Sequence, residues 1–291
     1  MPQDVLDYYT RPGVMTSAGS QARLLAGLPP GIGGLAAVTQ GVLVHEHLTG
    51  LYGFELPDGR RDSVHLRRAE QLLQRISAED GRPLTVARPA PARVAGICRH
   101  FTVLVVTMLR AQGTPARARC GFGGYFTEGR FEDHWVCEYR DDGRWVLVDA
   151  QIDGRQRQLF GIDFDVTDVP RDRFLIAGDA WAAFRRGDAD PSVFGLSQIN
   201  EAGDWWIASN LVRDAAALDN LELLPWDAWG AMPGPNDKID EELAGLFDRL
   251  AALTQAPDAN LAGLQALVRG DDRLRVPAAV HNYARQRYET I

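Results

Sequence analysis

Residues 96–150 read GICRHFTVLVVTMLRAQGTPARARCGFGGYFTEGRFEDHWVCEYRDDGRWVLVDA, and the order of patterns within them decides the fold. Positions 98–112 form a helix-length apolar run that stops at Gly113, with Pro115 just beyond, which is a standard helix-end signal. Three strand-like runs follow, at 116–122, 131–140 and 144–150. Asp142-Gly143 separates the last two and is a strong hairpin signal. One long helix followed by an antiparallel hairpin predicts an α+β core, with the helix packed on the sheet.

The reactive groups of this stretch are few. Cys98 stands at the expected start of the long helix, where unpaired backbone N–H groups and the positive end of the helix dipole favour thiolate over thiol. The same N–H groups can stabilise an oxyanion on an acyl group that the sulfur attacks. Arg99 adds positive charge. His134 and Asp149 lie on the two strands of the hairpin. With Asp142-Gly143 as the turn, Asp141 pairs with Arg144 and, at the far end, Val136 pairs with Asp149. Residues two apart on a strand share a face, so His134 and Asp149 are expected as diagonal neighbours within reach of one another. Trp135, Cys137 and Tyr139 fall on the opposite face with Val146 and Val148, which makes Cys98 the better nucleophile; a slip of one residue would undo the coincidence.

Outward from this core the texture changes. Residues 1–93 read as helices punctuated by Gly and Pro, with helical spacing over 64–76 and a proline-rich connection over 82–93. From 171 to 291 helical patterns return at 175–186, 205–218 and 239–253, and tryptophans concentrate there. The expected organisation is an N-terminal helical segment (1–93), a catalytic core (94–170) and a helical, Trp-rich C-terminal part (171–291). His45-Glu46-His47 lacks the spacing of a helical metal site and reads as structural. The Gly121-Phe122-Gly123-Gly124 run opens no helix and reads as a wide turn rather than a phosphate loop. Cys120 and Cys137 read as core residues. His100 is positioned either to line a cleft or to cap the sheet. The candidate substrate-binding set is His100, Trp135, Trp205, Trp206 and Trp226, the last three as walls of a cleft above Cys98.

Composition narrows the function classes. The 291 residues are 45% hydrophobic and carry 31 Lys+Arg against 39 Asp+Glu, a net charge of −8. That balance argues against a general nucleic-acid binder. Three cysteines make no disulfide framework and point to reduced thiols in the cytoplasm. The longest apolar stretch, 101–109, falls far short of the ~20 residues a membrane-spanning helix needs. No basic-then-apolar block opens the chain, so no secretory signal is expected.

Residues 94–153 resemble the core of the transglutaminase-like superfamily, thiol-protease-like enzymes with a Cys-His-Asp triad. The matching pieces are Gly96-Ile97-Cys98, the run from Leu109 to Arg117, His134-Trp135, and Trp145 to Asp149; Arg99-His100 departs from the more usual aromatic residue after the nucleophile. The resemblance implies a papain/transglutaminase-like fold in which Cys98 is the nucleophile, His134 its base and acid, and Asp149 the group that orients the imidazole. It calls for no cofactor and no metal. The layout of helical parts around a thiol core is also similar to the tetramate-forming Dieckmann cyclases, which off-load hybrid polyketide–nonribosomal peptide chains from carrier proteins. That likeness implies an acyl thioester on a phosphopantetheine arm as substrate. Carrier proteins are usually acidic, so docking on this acidic chain would call for a local basic patch, with Arg60, Arg61, Arg67 and Arg68 as candidates. Hydrolysis of peptides or amides, amide formation, and a non-catalytic binding module are the alternatives.

Overall fold

The computed structural model describes residues 3–291. In chain order its helices are α1 (Gln3–Thr10), α2 (Ile32–Val42), α3 (Ala69–Glu79), α4 (Cys98–Ala111) and α5 (Gly154–Leu159). They continue with α6 (Ala177–Arg186), α7 (Asp204–Leu218), α8 (Glu241–Gln255) and α9 (Pro257–Gly270). The strands are β1 (Leu43–His45), β2 (Val94–Gly96), β3 (Ala116–Gly123), β4 (Phe131–Asp141), β5 (Arg144–Val148) and β6 (Phe174–Ile176). After them come β7 (Phe194–Leu196), β8 (Glu201–Ala202), β9 (Asp227–Ala228), β10 (Ala279–Asn282) and β11 (Arg287–Thr290). The class is α+β, as the sequence predicts. Contacts gather the chain into two units: Leu6–Ala118 with Trp135–Pro170, and Arg119–His134 with Arg171–Ile291 and the short stretch 3–5. The expected three-part division follows sequence texture; the contacts instead divide β3 and β4 between the units.

In the first unit α4 is the central element. Its Phe101, Leu104, Val105, Met108 and Leu109 share one core with Leu35, Val38 and Val42 of α2 and with Leu72, Leu73 and Ile76 of α3. Cys137, Tyr139, Val146 and Val148 of the β4–β5 hairpin complete it. Each fully buried Leu or Val there contributes roughly 1.5–3 kcal/mol by leaving water. The helix stops where expected: Gly113 turns left-handed at φ +80° and the Thr114 N–H reaches back to the Leu109 carbonyl at 2.9 Å. The hairpin register runs from Asp141–Arg144 to Cys137–Val148, as the turn residues predict. Asp142 (φ +42°) and Gly143 (φ +82°) both adopt left-handed backbone, the signature of the type I′ turn that suits twisted strands.

Two expectations are corrected. The helix predicted over 64–76 begins only at Ala69, because 58–65 form a 3-10 helix and residues 66–68 run extended. That break frees the Leu66 and Arg67 carbonyls for bonds to α4. The Gly121–Gly123 run is not a turn but strand, pairing antiparallel with β6 from Gly121–Ile176 to Gly123–Phe174.

In the second unit the β4 residues Phe131 and Glu132 run parallel to β7, β7 pairs antiparallel with β8, and β9, β10 and β11 form a separate antiparallel sheet. Helices α6 and α8 meet through Trp181, whose ring packs edge-on to Phe247 at 5.3 Å while its Nε1–H donates to Asp248. On β3, Arg119 makes a fully enclosed two-pronged bond to Asp214 of α7, at 3.0 and 2.8 Å. Asp214 also accepts the Cys120 N–H, so one acid serves a guanidinium and a strand amide together.

Candidate active site

Cys98 is the first residue of α4, and every residue just before it is fixed. Strand β2 pairs in parallel with β1 from Leu43–Val94 to His45–Gly96, and the Ser63 hydroxyl donates to the Ala95 carbonyl at 2.7 Å. Ile97 is extended (φ −126°, ψ 173°), which is the conformation a residue preceding a helix requires. Cys98 itself is 8% exposed. Of the other thiols, Cys120 and Cys137 are wholly enclosed, and burial pushes the Cys137 thiol well above its ordinary range.

Ile97 offers no side-chain acceptor, so the cap comes from His100. Its Nδ1 accepts the Ile97 N–H at 3.2 Å and its Nε2 lies 2.9 Å from the Leu66 carbonyl, which fixes Nε2 as the protonated nitrogen. The ring is 0% exposed, and its pKa is pushed down to about 3, first by burial and then by the charge on Arg99. Gly96 makes room for it: a Cβ there would stand 3.1 Å from that of His100. Arg99 folds the same way, donating to the Leu66 and Arg67 carbonyls at 3.4 and 2.5 Å. Of the two roles left open for His100, the structure favours a cap, on the helix start rather than the sheet. With no exposed surface and both nitrogens engaged it has nothing left to offer a substrate.

Asp149 follows the last residue of β5 and is 1% exposed. The expected Val136–Asp149 pair does not form, since the ladder ends at Cys137–Val148 and the Asp149 N–H turns to the Val166 carbonyl at 2.8 Å. Its carboxylate accepts the Gln151 N–H at 3.1 Å. From Gln151 a relay runs through Gln156 to the Tyr52 hydroxyl, which donates to Asp153 at 2.7 Å. Burial and the neighbouring Asp153 push the Tyr52 phenol up to about 12, so it stays a donor at any ordinary pH.

His134 lies on β4 in the second unit and is 3% exposed. Three aromatic rings surround its imidazole: Phe126 at 4.8 Å, Tyr125 at 6.1 Å and Phe174 at 6.4 Å between centroids, all close to edge-on.

Residues 67–150 match the transglutaminase-like superfamily. The matched stretch holds α4, the β4–β5 hairpin, Cys98, His134 and Asp149, and it supports a cysteine-dependent enzyme at the level of the superfamily. A crystal structure of a cysteine-protease candidate from Cytophaga hutchinsonii is similar over 60% of this chain and 46% of its own, at 18% identity and a TM-score of 0.35. The present chain therefore spans less than half of that protein. Comparison with curated proteins found no match. No helix among the described residues is long and apolar enough to cross a membrane.

The remaining candidates take varied places around the transglutaminase-like stretch. Trp135 is enclosed, and its indole N–H has no acceptor among the described residues. Trp205 and Trp206 open α7 as a tilted, part-exposed pair 4.8 Å apart. Trp205 donates to the Ala202 carbonyl and Trp206 to Asp133, the residue before His134. Trp226 precedes β9 and its carbonyl accepts the Tyr283 N–H. The basic patch is largely spent on its own surroundings. Arg60 bonds the Pro91 and Arg93 carbonyls and Glu79, Arg61 sits between Glu46 and Asp58, and Arg67 is buried. In the His45-Glu46-His47 segment the His45 Nδ1 accepts the His47 N–H, and burial raises the Glu46 carboxyl despite His47 and Arg61 beside it. Sequence reasoning missed the His100–Leu66 contact that completes the cap and the Asp133–Trp206 bond; both depend on partners far along the chain.

Proposed function

We propose that the protein transfers acyl groups through a thioester on Cys98, with His134 as base and acid and Asp149 orienting the imidazole. The observation that carries this reading is Cys98 as the opening residue of α4, directly after a strand and cap that hold it rigidly. A sulfur there faces the backbone N–H groups at the positive end of a helix, which offer donors to an oxyanion. The apolar rings around His134 support its part in this reading, since they keep water from the imidazole that is to carry the proton.

The reaction we favour is Dieckmann cyclisation. Cys98 thiolate attacks the carrier-bound thioester carbonyl; the carrier thiolate leaves and takes the proton held by His134. Neutral His134 next accepts a proton from the carbon between the two carbonyls of the β-ketoamide, a position those carbonyls acidify. The carbanion attacks the acyl-enzyme carbonyl, the C–S bond breaks, and a five-membered tetramate leaves. Cys98 departs as thiolate and His134 as imidazolium, so the pair is ready for another thioester. The partner in this reading is an acyl chain on a carrier phosphopantetheine arm, and no cofactor takes part.

The test uses a β-ketoamide N-acetylcysteamine thioester. Intact-protein mass spectrometry is expected to show a covalent acyl adduct that Cys98→Ala abolishes, and product analysis a tetramate. An adduct with only hydrolysed acid would replace cyclisation by thioester hydrolysis. No adduct on the wild-type chain would remove acyl transfer altogether.

A further inference from the structure

Asp133 stands one residue before His134 on β4, and the two side chains enter different surroundings. The imidazole lies among Tyr125, Phe126 and Phe174, whereas one Asp133 oxygen, Oδ2, accepts the Trp206 indole N–H of α7 at 2.9 Å. The second oxygen, Oδ1, is closed to solvent with no hydrogen-bond partner among the described residues. Nearby on α7 the buried Arg213 donates to the Asn210 side chain at 3.0 Å and to the Asp227 carbonyl at 3.3 Å, and its own Nε is closed to solvent without an acceptor. An acid held this way, beside a strand residue proposed to carry a proton, fixes both the strand and its local charge.

We propose that Asp133 is a positioning residue for His134: tied to α7 by Trp206, its carboxylate anchors β4 at the base and supports the imidazolium when His134 holds the proton. The inference rests on the reading of His134 as the base. Burial raises the Asp133 carboxyl, while Arg213, Trp206, Asn210 and His134 each favour its ionised form. Other charged or titratable groups at this place are few. Asp227, Cys120 and Tyr283 act on Arg213, Tyr125 edges His134, and Glu132 of the same strand is engaged with the Ser197 amide and hydroxyl.

Asp133→Asn separates charge from anchor, because the amide oxygen can still accept the Trp206 N–H. Imidazole NMR on the full chain, with His134 assigned by loss of its signal in His134→Gln, reads the outcome directly. The His134 titration midpoint is expected to fall by about half a pH unit or more in Asp133→Asn, since a negative charge that favoured imidazolium is gone. A midpoint unchanged from the wild type overturns the proposal. Should that variant not fold, Trp206→Phe removes one donor to the carboxylate, leaves it less ionised and is expected to move the midpoint the same way; no movement there overturns the proposal equally. Adduct formation on Cys98 is measured separately, so loss of the acyl-transfer reading and loss of this inference are distinguishable.

Discussion

His100 ties the helix that opens at Cys98 to a loop more than thirty residues earlier, and it does so only as a neutral ring. Its folded pKa lies far below the ordinary value of a histidine, so in acid the unfolded chain binds a proton that the folded chain refuses. Stability from this group is complete above about pH 6.5 and is lost at roughly 1.4 kcal/mol per pH unit as pH falls from there toward 3. Urea melts at pH 7, 6 and 5 are expected to show that slope in the wild type and to show a shallower one in His100→Leu. At pH 7 the variant is expected to be less stable by roughly 1–3 kcal/mol for each group left unbonded, the Ile97 N–H and the Leu66 carbonyl. Equal slopes in the two proteins would show that the ring is not held neutral. The sequence places His100 one turn into a helix but cannot distinguish a cap from a cleft residue, because the deciding partner is Leu66.

Elements divide by how local their causes are. The limits of α4 and the register of β4 with β5 are legible because a Gly-Thr-Pro stop and an Asp-Gly turn lie within the segments they shape. The Arg119–Asp214 pair is the opposite case. Nothing within the Ala-Arg-Ala-Arg strand or beside the helix aspartate marks the two as partners, yet both are fully enclosed against one another. Breaking a buried pair from one side leaves an uncompensated charge, so Asp214→Asn is expected to cost about 3–5 kcal/mol by chemical denaturation. A loss below about 1 kcal/mol would mean that the pair behaves as a surface contact. The late start of α3 has a similar origin: helical spacing continues back through Val64, but 66–68 stay extended where Leu66 and Arg67 give their carbonyls to α4.

For the whole molecule the decisive fact is that 119–134 belongs with 171–291 rather than with the sequence on either side of it. A fragment ending at Pro170 retains every residue matched to the superfamily. It loses β6 from Gly121–Gly123, β7 from Phe131 and Glu132, and Asp214 from Arg119. Such a fragment is expected to aggregate or to melt without a cooperative transition in calorimetry; a sharp transition from a monomer would show that the matched stretch folds alone. The cut expected at 170 coincides with the contact boundary between Pro170 and Arg171, because the return of helical period is visible in sequence, whereas a strand shared between two units leaves no mark.

The contrast among the three sulfurs also has a practical side. With Cys120 and Cys137 wholly enclosed, a maleimide dye added to the native chain should attach at one place, and to the denatured chain at three. One dye per native chain would make Cys98 a single-site handle for fluorescence or crosslinking, without any engineered cysteine; none would show that the 8% of Cys98 left open is too little for a reagent to enter.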